Sequence, residues 1–267
     1  MRALSFVAIA MALAAGPAAL VAEPAAPGDE PADVDAPIAI RAADQPTRFL
    51  PDAVAAETGA ARTAGVGWGG YDGPTHAPLA GAFAEARLGA RFAIGAGATW
   101  APGNDIEPGA VRPSFVARVQ LLDRARSGLD AGLALAYRED RFVGEDGFFQ
   151  AVAMLGLAGP RGALLANLAY GQDGEGDDHE GDLRAAALAR IGAAAHLGVD
   201  GRLRKSLDST DPNRFAHGTP SLEFQVGPAA ALGLGPIALT VEGGVGGARI
   251  VRLETGGFAL AAVGAAF

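Results

Sequence analysis

One serine and histidine pair in the chain could supply a nucleophile and its base. His217 and Ser221 lie four positions apart, where a polar segment runs into an alternating apolar one. A hydroxyl group needs an adjacent base to become a nucleophile. Because this spacing matches no hydrolase signature and both residues lie at a loop, the sequence predicts a protein that is not an enzyme, with lipid hydrolysis as a minor alternative.

Residues 173–182, DGEGDDHEGD, are a dense group of carboxylates that could hold a divalent cation through oxygen ligands. A calcium loop requires glycine at its sixth position and a bidentate glutamate at its twelfth, but these positions hold Asp178 and Arg184. We therefore interpret the run as a solvated loop and predict no metal and no cofactor. The sequence has no phosphate-binding Gly-Lys motif and no basic, aromatic face, so nucleic acid is not an expected partner.

The first 58 residues differ in composition from the rest of this 267-residue chain, which has a formal net charge of −9 and no cysteine. Met1 and Arg2 precede an apolar run and then small residues, so residues 1–22 are predicted to be a signal peptide, cleaved after Ala18 or Ala22. Residues 23–58 are acidic and rich in proline and alanine, which is typical of a linker. Residues 38–54 could instead fold back into the rest of the protein as a plug.

From about residue 60 onward, apolar residues recur at every second position, the spacing that sends successive side chains to opposite faces of a strand. In residues 182–191, for example, Leu183 and Ile191 share one face, and Arg184 and Arg190 share the other. Twelve such runs are predicted, near residues 60–69, 79–88, 91–100, 113–122, 129–138, 148–158, 162–171, 182–191, 195–204, 221–232, 236–250 and 257–267. A two-faced strand pattern of this kind fits either a soluble sandwich or barrel, or a transmembrane barrel.

The connections between these runs alternate in length. Tight connections (LGA, DRARSG, AGPRG, IGAAA and LGLGP) alternate with mostly long, polar ones such as APGNDIEPGAVRP and KSLDSTDPNRFAHGTP. Outer-membrane barrels have short periplasmic turns and longer outer loops. The last outer loop, ETGG, is the short exception. The pattern predicts an all-β fold over residues 59–267, a transmembrane antiparallel up-and-down β-barrel of about 12 strands, with 10 or 14 as alternatives.

The tryptophans and tyrosines all fall where an outward-running strand meets its outer loop. Such rings prefer the headgroup zone of a bilayer, because the ring is apolar and its N–H or O–H needs a wet partner. A soluble core would scatter them. The predicted aromatic girdle consists of Trp68, Tyr71, Trp100, Tyr137 and Tyr170.

The chain ends on Phe267, with Ala265, Val263 and Ala261 on the same face of the last predicted strand. This ending resembles the carboxy-terminal signature of bacterial outer-membrane β-barrel proteins, in which a final aromatic and alternating apolar residues mark the closing strand. The resemblance implies that Phe267 is an assembly signal read by the barrel-assembly machinery. It also implies a Gram-negative outer membrane as the location, with outer-membrane lipid and lipopolysaccharide as surroundings.

The polar faces of the strands would line the lumen of such a barrel. The predicted lumen wall consists of Arg87, Arg118, Arg138, Arg184, Arg190, His196, Asp200, Arg202, Arg204 and Glu223. Arginines outnumber carboxylates among the predicted inward residues, so we expect a passive narrow channel for small solutes with a mildly basic lumen. A non-conducting structural or surface-interaction barrel is the alternative, and a soluble periplasmic binding barrel is a minor one. If Arg184 faces Arg202, water or an anion must separate them, and a closed lattice of ion pairs is an equally open possibility.

Overall fold

The computed structural model describes residues 62–72, 77–101, 110–138, 147–159, 161–174, 176, 178–191, 194–207, 221–249 and 252–266. The predicted signal peptide and linker, and Phe267, lie outside the described residues. The strands are β1 (Arg62–Asp72), β2 (Ala77–Arg87), β3 (Phe92–Ala101), β4 (Ala110–Leu122), β5 (Asp130–Arg138), β6 (Phe148–Gly159), β7 (Gly162–Asp173), β8 (His179–Arg190), β9 (Ala195–Ser206), β10 (Leu222–Leu234), β11 (Ile237–Arg249) and β12 (Leu253–Ala266). A single helical turn, α1 (Arg124–Ser127), lies between β4 and β5.

The described strands form one closed antiparallel barrel in which every strand pairs with its neighbours in sequence. The barrel closes where β1 pairs with β12, from Thr63 opposite Ala266 to Asp72 opposite Gly257. The prediction of an all-β barrel of about 12 strands is therefore confirmed. Among the described residues, no helix has both the length and the apolar character to cross a bilayer.

Side chains alternate between the two faces of the barrel wall, apart from an irregularity on β4 between Gln120 and Leu122. Along β7, for example, Leu165, Asn167 and Ala169 are buried inside, whereas Leu164 and Leu168 are exposed outside. The outer face carries large apolar residues and the inner face carries most of the charged ones, the reverse of a soluble protein. This arrangement requires an apolar environment around the barrel.

The two ends of the barrel differ in their connections. At one end, which we call the turn end, neighbouring strands are joined by short segments such as Leu88–Arg91 and Gly235–Pro236. Gly89 and Gly235 have φ values of 116° and 64°, which glycine adopts without a steric penalty. At the other end, the loop end, the connections are longer on average.

Several strands continue further toward the loop end than the sequence pattern predicts. The acidic run 173–182 was predicted to be a solvated loop, but β7 extends to Asp173 and β8 begins at His179. Residues 254–257, predicted to be the last outer loop, belong to β12. Both differences have the same cause. Polar residues can occupy inward positions at the end of a barrel strand, and the apolar alternation by which the sequence predicts a strand then stops before the strand itself ends.

Candidate functional site

The inner wall of the barrel concentrates the buried polar and charged side chains. Seven carboxylates and four arginines are buried among the described residues of this wall. The carboxylates are Glu85, Asp130, Glu180, Asp182, Asp200, Glu223 and Glu242, and the arginines are Arg118, Arg184, Arg202 and Arg204. A buried charge is costly unless it is paired and hydrogen-bonded, so the contacts of these groups decide what the wall can do.

Asp182 holds two arginines from adjacent strands. Arg184 lies directly opposite Arg202 between β8 and β9, the register expected from the sequence. Asp182 Oδ2 accepts a hydrogen bond from Arg184 Nη2 at 2.7 Å and another from Arg202 Nη2 at 2.8 Å. Arg202 Nε also donates to Asp182 Oδ1 at 3.0 Å. The carboxylate of Asp182, which is 1 % exposed, therefore provides the anion that two facing arginines require.

Arg204 extends this group of charges to one further strand, β10. Its guanidinium lies 3.6 Å from the carboxylate of Glu180 and 3.4 Å from that of Glu223. Gln150 on β6 donates a hydrogen bond from its side-chain amide to Glu180. We call Glu180, Asp182, Arg184, Arg202, Arg204 and Glu223 the loop-end cluster, because they lie in the halves of β8, β9 and β10 nearest the loop end.

A second group of polar contacts lies near the turn end on the far side of the ring of strands. Arg118 Nη2 on β4 donates to Glu85 Oε1 on β2 at 2.7 Å, and both side chains are almost fully buried. Gln120 Nε2 donates to Asp130 Oδ1 at 2.8 Å. The inner wall thus carries paired charges at both ends, and the two groups are diagonally opposed.

The other residues of the predicted lumen wall lie nearer the strand ends or the middle of the barrel. Arg190 pairs in register with His196 near the turn end, and both are half-buried. Asp200 is buried at the centre of β9 and accepts a hydrogen bond from the backbone N–H of Gly201. Arg87 is exposed at the end of β2. Arg138 ends β5, and its side chain lies outside the described part of the structure.

Sequence reasoning omitted Glu180 and Asp182 from its count of inward charges because it assigned residues 173–182 to a loop. The alternation of the strand could have identified them, because Asp182 and Glu180 lie two and four positions before the inward Arg184 and therefore share its face. Their addition changes the charge of the wall. The excess of arginine over carboxylate that the sequence predicted is absent from the buried side chains that the structure describes.

The inner wall formed by β11, β12, β1 and β2 consists largely of small and apolar residues. Phe83, Phe258 and Leu260 are buried there, and glycines occupy the inward positions of β1 between them. A Cβ added to Gly69 would lie 2.4 Å from the carbonyl oxygen of Ala259, and one added to Gly65 would lie 2.6 Å from Phe83 Cε1. Only glycine fits at these two positions without a shift of the neighbouring strand.

The predicted girdle residues lie near the loop end of the barrel. Trp68 and Trp100 face outward and are 51 % and 43 % exposed, and Tyr170 is also exposed. Tyr137 faces outward between Phe115 and Phe149, with ring centroids 6.4 and 5.0 Å away. Tyr71 belongs to β1 and pairs in register with Phe258, an inner-face position, and its side chain lies outside the described part.

The candidate nucleophile Ser221 makes a structural contact. Its hydroxyl donates a hydrogen bond to the backbone carbonyl oxygen of Arg249 at 2.9 Å. His217 lies outside the described residues. Within the described ranges, no group of three or more His, Asp or Glu side chains is placed to hold a metal ion.

No protein-family model matches the sequence, and no curated protein does. Solved structures with a similar fold include two porins. The NanC porin superposes with a TM-score of 0.55 at 11 % sequence identity over 76 % of this chain and 100 % of that one. The KdgM porin superposes with a TM-score of 0.54 at 9 % identity over 76 % of this chain and 99 % of that one. The chain therefore has the fold of the bacterial outer-membrane β-barrels, the group that its carboxy-terminal sequence resembles.

Proposed function

We propose that this protein is a passive channel for small hydrophilic solutes in the outer membrane of a Gram-negative bacterium. The observation that carries the proposal is the reversed polarity of a closed barrel, with leucines such as Leu135 and Leu168 exposed outside and charged residues such as Arg202 inside. An apolar exterior suits lipid, and a charged interior suits a water-containing lumen.

The location in the outer membrane is supported by two features of the outer face. The exposed Trp68, Trp100 and Tyr170 lie toward the loop end, where amphipathic rings would meet lipid headgroups. Strand β7, which carries Tyr170, also exposes the bulky apolar Leu168 near its middle and Leu164 nearer the turn end. A soluble barrel would leave these residues in water, which makes the soluble periplasmic alternative the least favoured.

The charge preference of the lumen follows from the pairing of its arginines. The sequence analysis predicts a mildly basic wall and weak anion preference. In the loop-end cluster, however, Arg184 and Arg202 share Asp182, and Arg204 lies between Glu180 and Glu223. We therefore propose a wall in which carboxylates offset the arginines, so that neither small anions nor small cations are strongly preferred.

A non-conducting structural barrel is the second candidate, and one observation favours it. The side chains of Asp182, Arg202 and Arg118 are at most 5 % exposed, so the wall at these levels is covered rather than bathed in water. Paired buried charges can hold a barrel in one register without any flow of solute. The two candidates differ in whether a continuous aqueous path passes beside the paired charges.

Conductance of the refolded full-length protein in a planar lipid bilayer tests the proposal. Folding is checked first by heat-modifiable electrophoretic mobility. A channel gives steady unitary currents, and a salt gradient gives a reversal potential near zero. Persistent silence of a folded, inserted sample would contradict the channel and support the structural barrel. A reversal potential that shows strong anion selectivity would instead support the basic lumen predicted from the sequence.

A further inference from the structure

The outward face of the strands carries very few charged residues. Among the outward positions whose side chains the structure describes, the charged ones apart from His179 are Arg62, Lys205 and Arg249, and none is acidic. Arg62 lies at the turn end, whereas Lys205 and Arg249 both lie at the loop end. A cation on a lipid-facing surface is costly unless it reaches the headgroup zone. We therefore expect Lys205 and Arg249 to have an anionic partner there.

Lys205 and Arg249 occupy the same rung of the barrel. Leu222 on β10 pairs with Lys205 on β9 and with Arg249 on β11. The two basic residues are thus separated by two strand spacings, about 9–10 Å between backbones. Their side chains are long enough to reach one anionic group that lies over Leu222 on the outer face of the barrel. The same rung continues through Gly181 to Tyr170, a residue of the predicted aromatic girdle.

The backbone around this rung is held firmly. Ser221 donates hydrogen bonds to the carbonyl oxygen of Arg249 from its backbone N–H at 2.8 Å and from its hydroxyl at 2.9 Å. The rings of Tyr170 and His179 lie 5.9 Å apart between centroids. The strands of such a barrel are tilted by about 35–45°, so the rung rises toward the loop end from β7 to β11. An aromatic ring marks the boundary between acyl chains and headgroups, so Lys205 and Arg249 would lie on the headgroup side of Tyr170, with Arg249 further out than Lys205.

We propose that Lys205 and Arg249 together bind a phosphate group of lipid A in the outer leaflet, with Leu222 against the adjoining acyl chain. Arginine offers paired N–H donors that match phosphate oxygens, and lysine adds a mobile point charge. None of the positions that pair with Lys205 or Arg249 is acidic, which leaves this patch complementary to an anion. The inference rests on the proposed membrane location, but it does not depend on whether the barrel conducts.

Binding of lipid A to the refolded full chain in an uncharged detergent tests the proposal. Native mass spectrometry or microscale thermophoresis would compare bisphosphorylated lipid A with its dephosphorylated form. The double variant Lys205→Gln, Arg249→Gln is expected to bind the bisphosphorylated lipid about thirtyfold more weakly, because each basic residue at an anionic surface contributes roughly a factor of five. The control is Arg62→Gln, Arg91→Gln, which removes two exposed arginines at the turn end and should leave the affinity unchanged.

Three results would overturn the proposal. The first is equal affinity of the double variant and the unmodified protein for bisphosphorylated lipid A. The second is equal affinity of the unmodified protein for the two forms of lipid A. The third is a loss restricted to vesicles of phosphatidylglycerol, which would assign the patch to the inner leaflet. Bilayer currents and insertion of the same variants are measured in parallel, so failure of this site is distinguishable from failure of the channel.

Discussion

The inner wall of this barrel is built in two ways on its two sides. On β8, β9 and β10 the loop-end cluster places long charged side chains on the inner face, each of which contacts an opposite charge. On β11, β12, β1 and β2 the interior carries mostly glycine, alanine and a few apolar side chains such as Phe258 and Leu260, with Glu85 and Glu242 as its buried charged residues. Both sides have the same hydrogen-bonded strand pairing, so the difference lies entirely in the side chains.

The two sides therefore depend on different physical terms. The charged side is held by pairing, and removing one partner there leaves a buried charge without compensation. The small side is held by close approach of the strands, and adding even one methyl group there forces backbone apart. Electrostatic changes should accordingly be severe on β8–β10, and steric changes should be severe on β1 and its neighbours.

Asp182→Asn gives the largest expected effect, because it leaves Arg184 and Arg202 facing each other without their shared carboxylate. We expect a loss of about 3–5 kcal/mol in the free energy of unfolding, measured by urea unfolding of the refolded barrel. The matched control is Glu254→Gln, which breaks the exposed 3.0 Å ion pair with Arg252 and should change stability by about 0–1 kcal/mol. Equal effects of the two substitutions would show that the loop-end cluster is not held by its charge pairing.

Leu168→Arg extends the comparison from the inner face to the outer face. Leu168 lies at mid-strand on β7 and is 63 % exposed. An arginine there should cost about 2–4 kcal/mol in lipid vesicles, whereas Leu207→Arg at the loop end should cost about 0–1 kcal/mol, because the penalty falls toward the interface. Equilibrium unfolding from vesicles measures both. A similar cost at the two depths would argue against lipid around the barrel.

Gly69→Ala tests the small side of the wall. The added Cβ would lie 2.4 Å from the carbonyl oxygen of Ala259, so we expect a loss of about 1–3 kcal/mol from overpacking. Gly233→Ala on β10 is the control, because its Cβ would meet nothing closer than the carbonyl oxygen of Ala194 at 3.8 Å. Urea unfolding measures the stability of both variants. An unchanged free energy of unfolding for Gly69→Ala would mean that β1 and β12 can move apart at no cost.

Epitope tags distinguish the two ends of the barrel and should change stability least. A tag inserted within residues 174–178 should be reached by antibody on intact cells, whereas one within residues 124–127 should not. Long insertions in surface connections cost little, about 0.6 kcal/mol for each doubling of loop length. Labelling of the second tag but not the first in unbroken cells would invert the proposed orientation.

Most of the barrel could be predicted from the sequence because alternation is a local property. The pattern that places Leu183 and Arg184 on opposite faces needs no knowledge of the partner strand. A short connection, such as the four residues 191–194 between β8 and β9, then sets the register, which is why Arg184 opposite Arg202 could be predicted.

The contacts within the wall could not be predicted in the same way. Register places Asp182 opposite Arg204, yet the guanidinium groups that bind Asp182 belong to Arg184 and Arg202. Long side chains lean along the strand. The opposite charge that a given side chain contacts therefore depends on its rotamer and on neighbours up to two strands away. The strand ends at 173–182 were missed for a related reason, since an acidic strand that faces inward has the composition of a loop.

Quenching of tryptophan fluorescence by brominated lipids tests the central claim, that the apolar outer face lies in lipid. Trp68 and Trp100 are the two tryptophans of the chain, and both face outward toward the loop end. Lipids brominated near the headgroup should quench their emission strongly, lipids brominated near the chain terminus should quench it less, and aqueous iodide should have little access. Strong quenching by iodide with no response to any brominated lipid would contradict the placement of this barrel in a membrane.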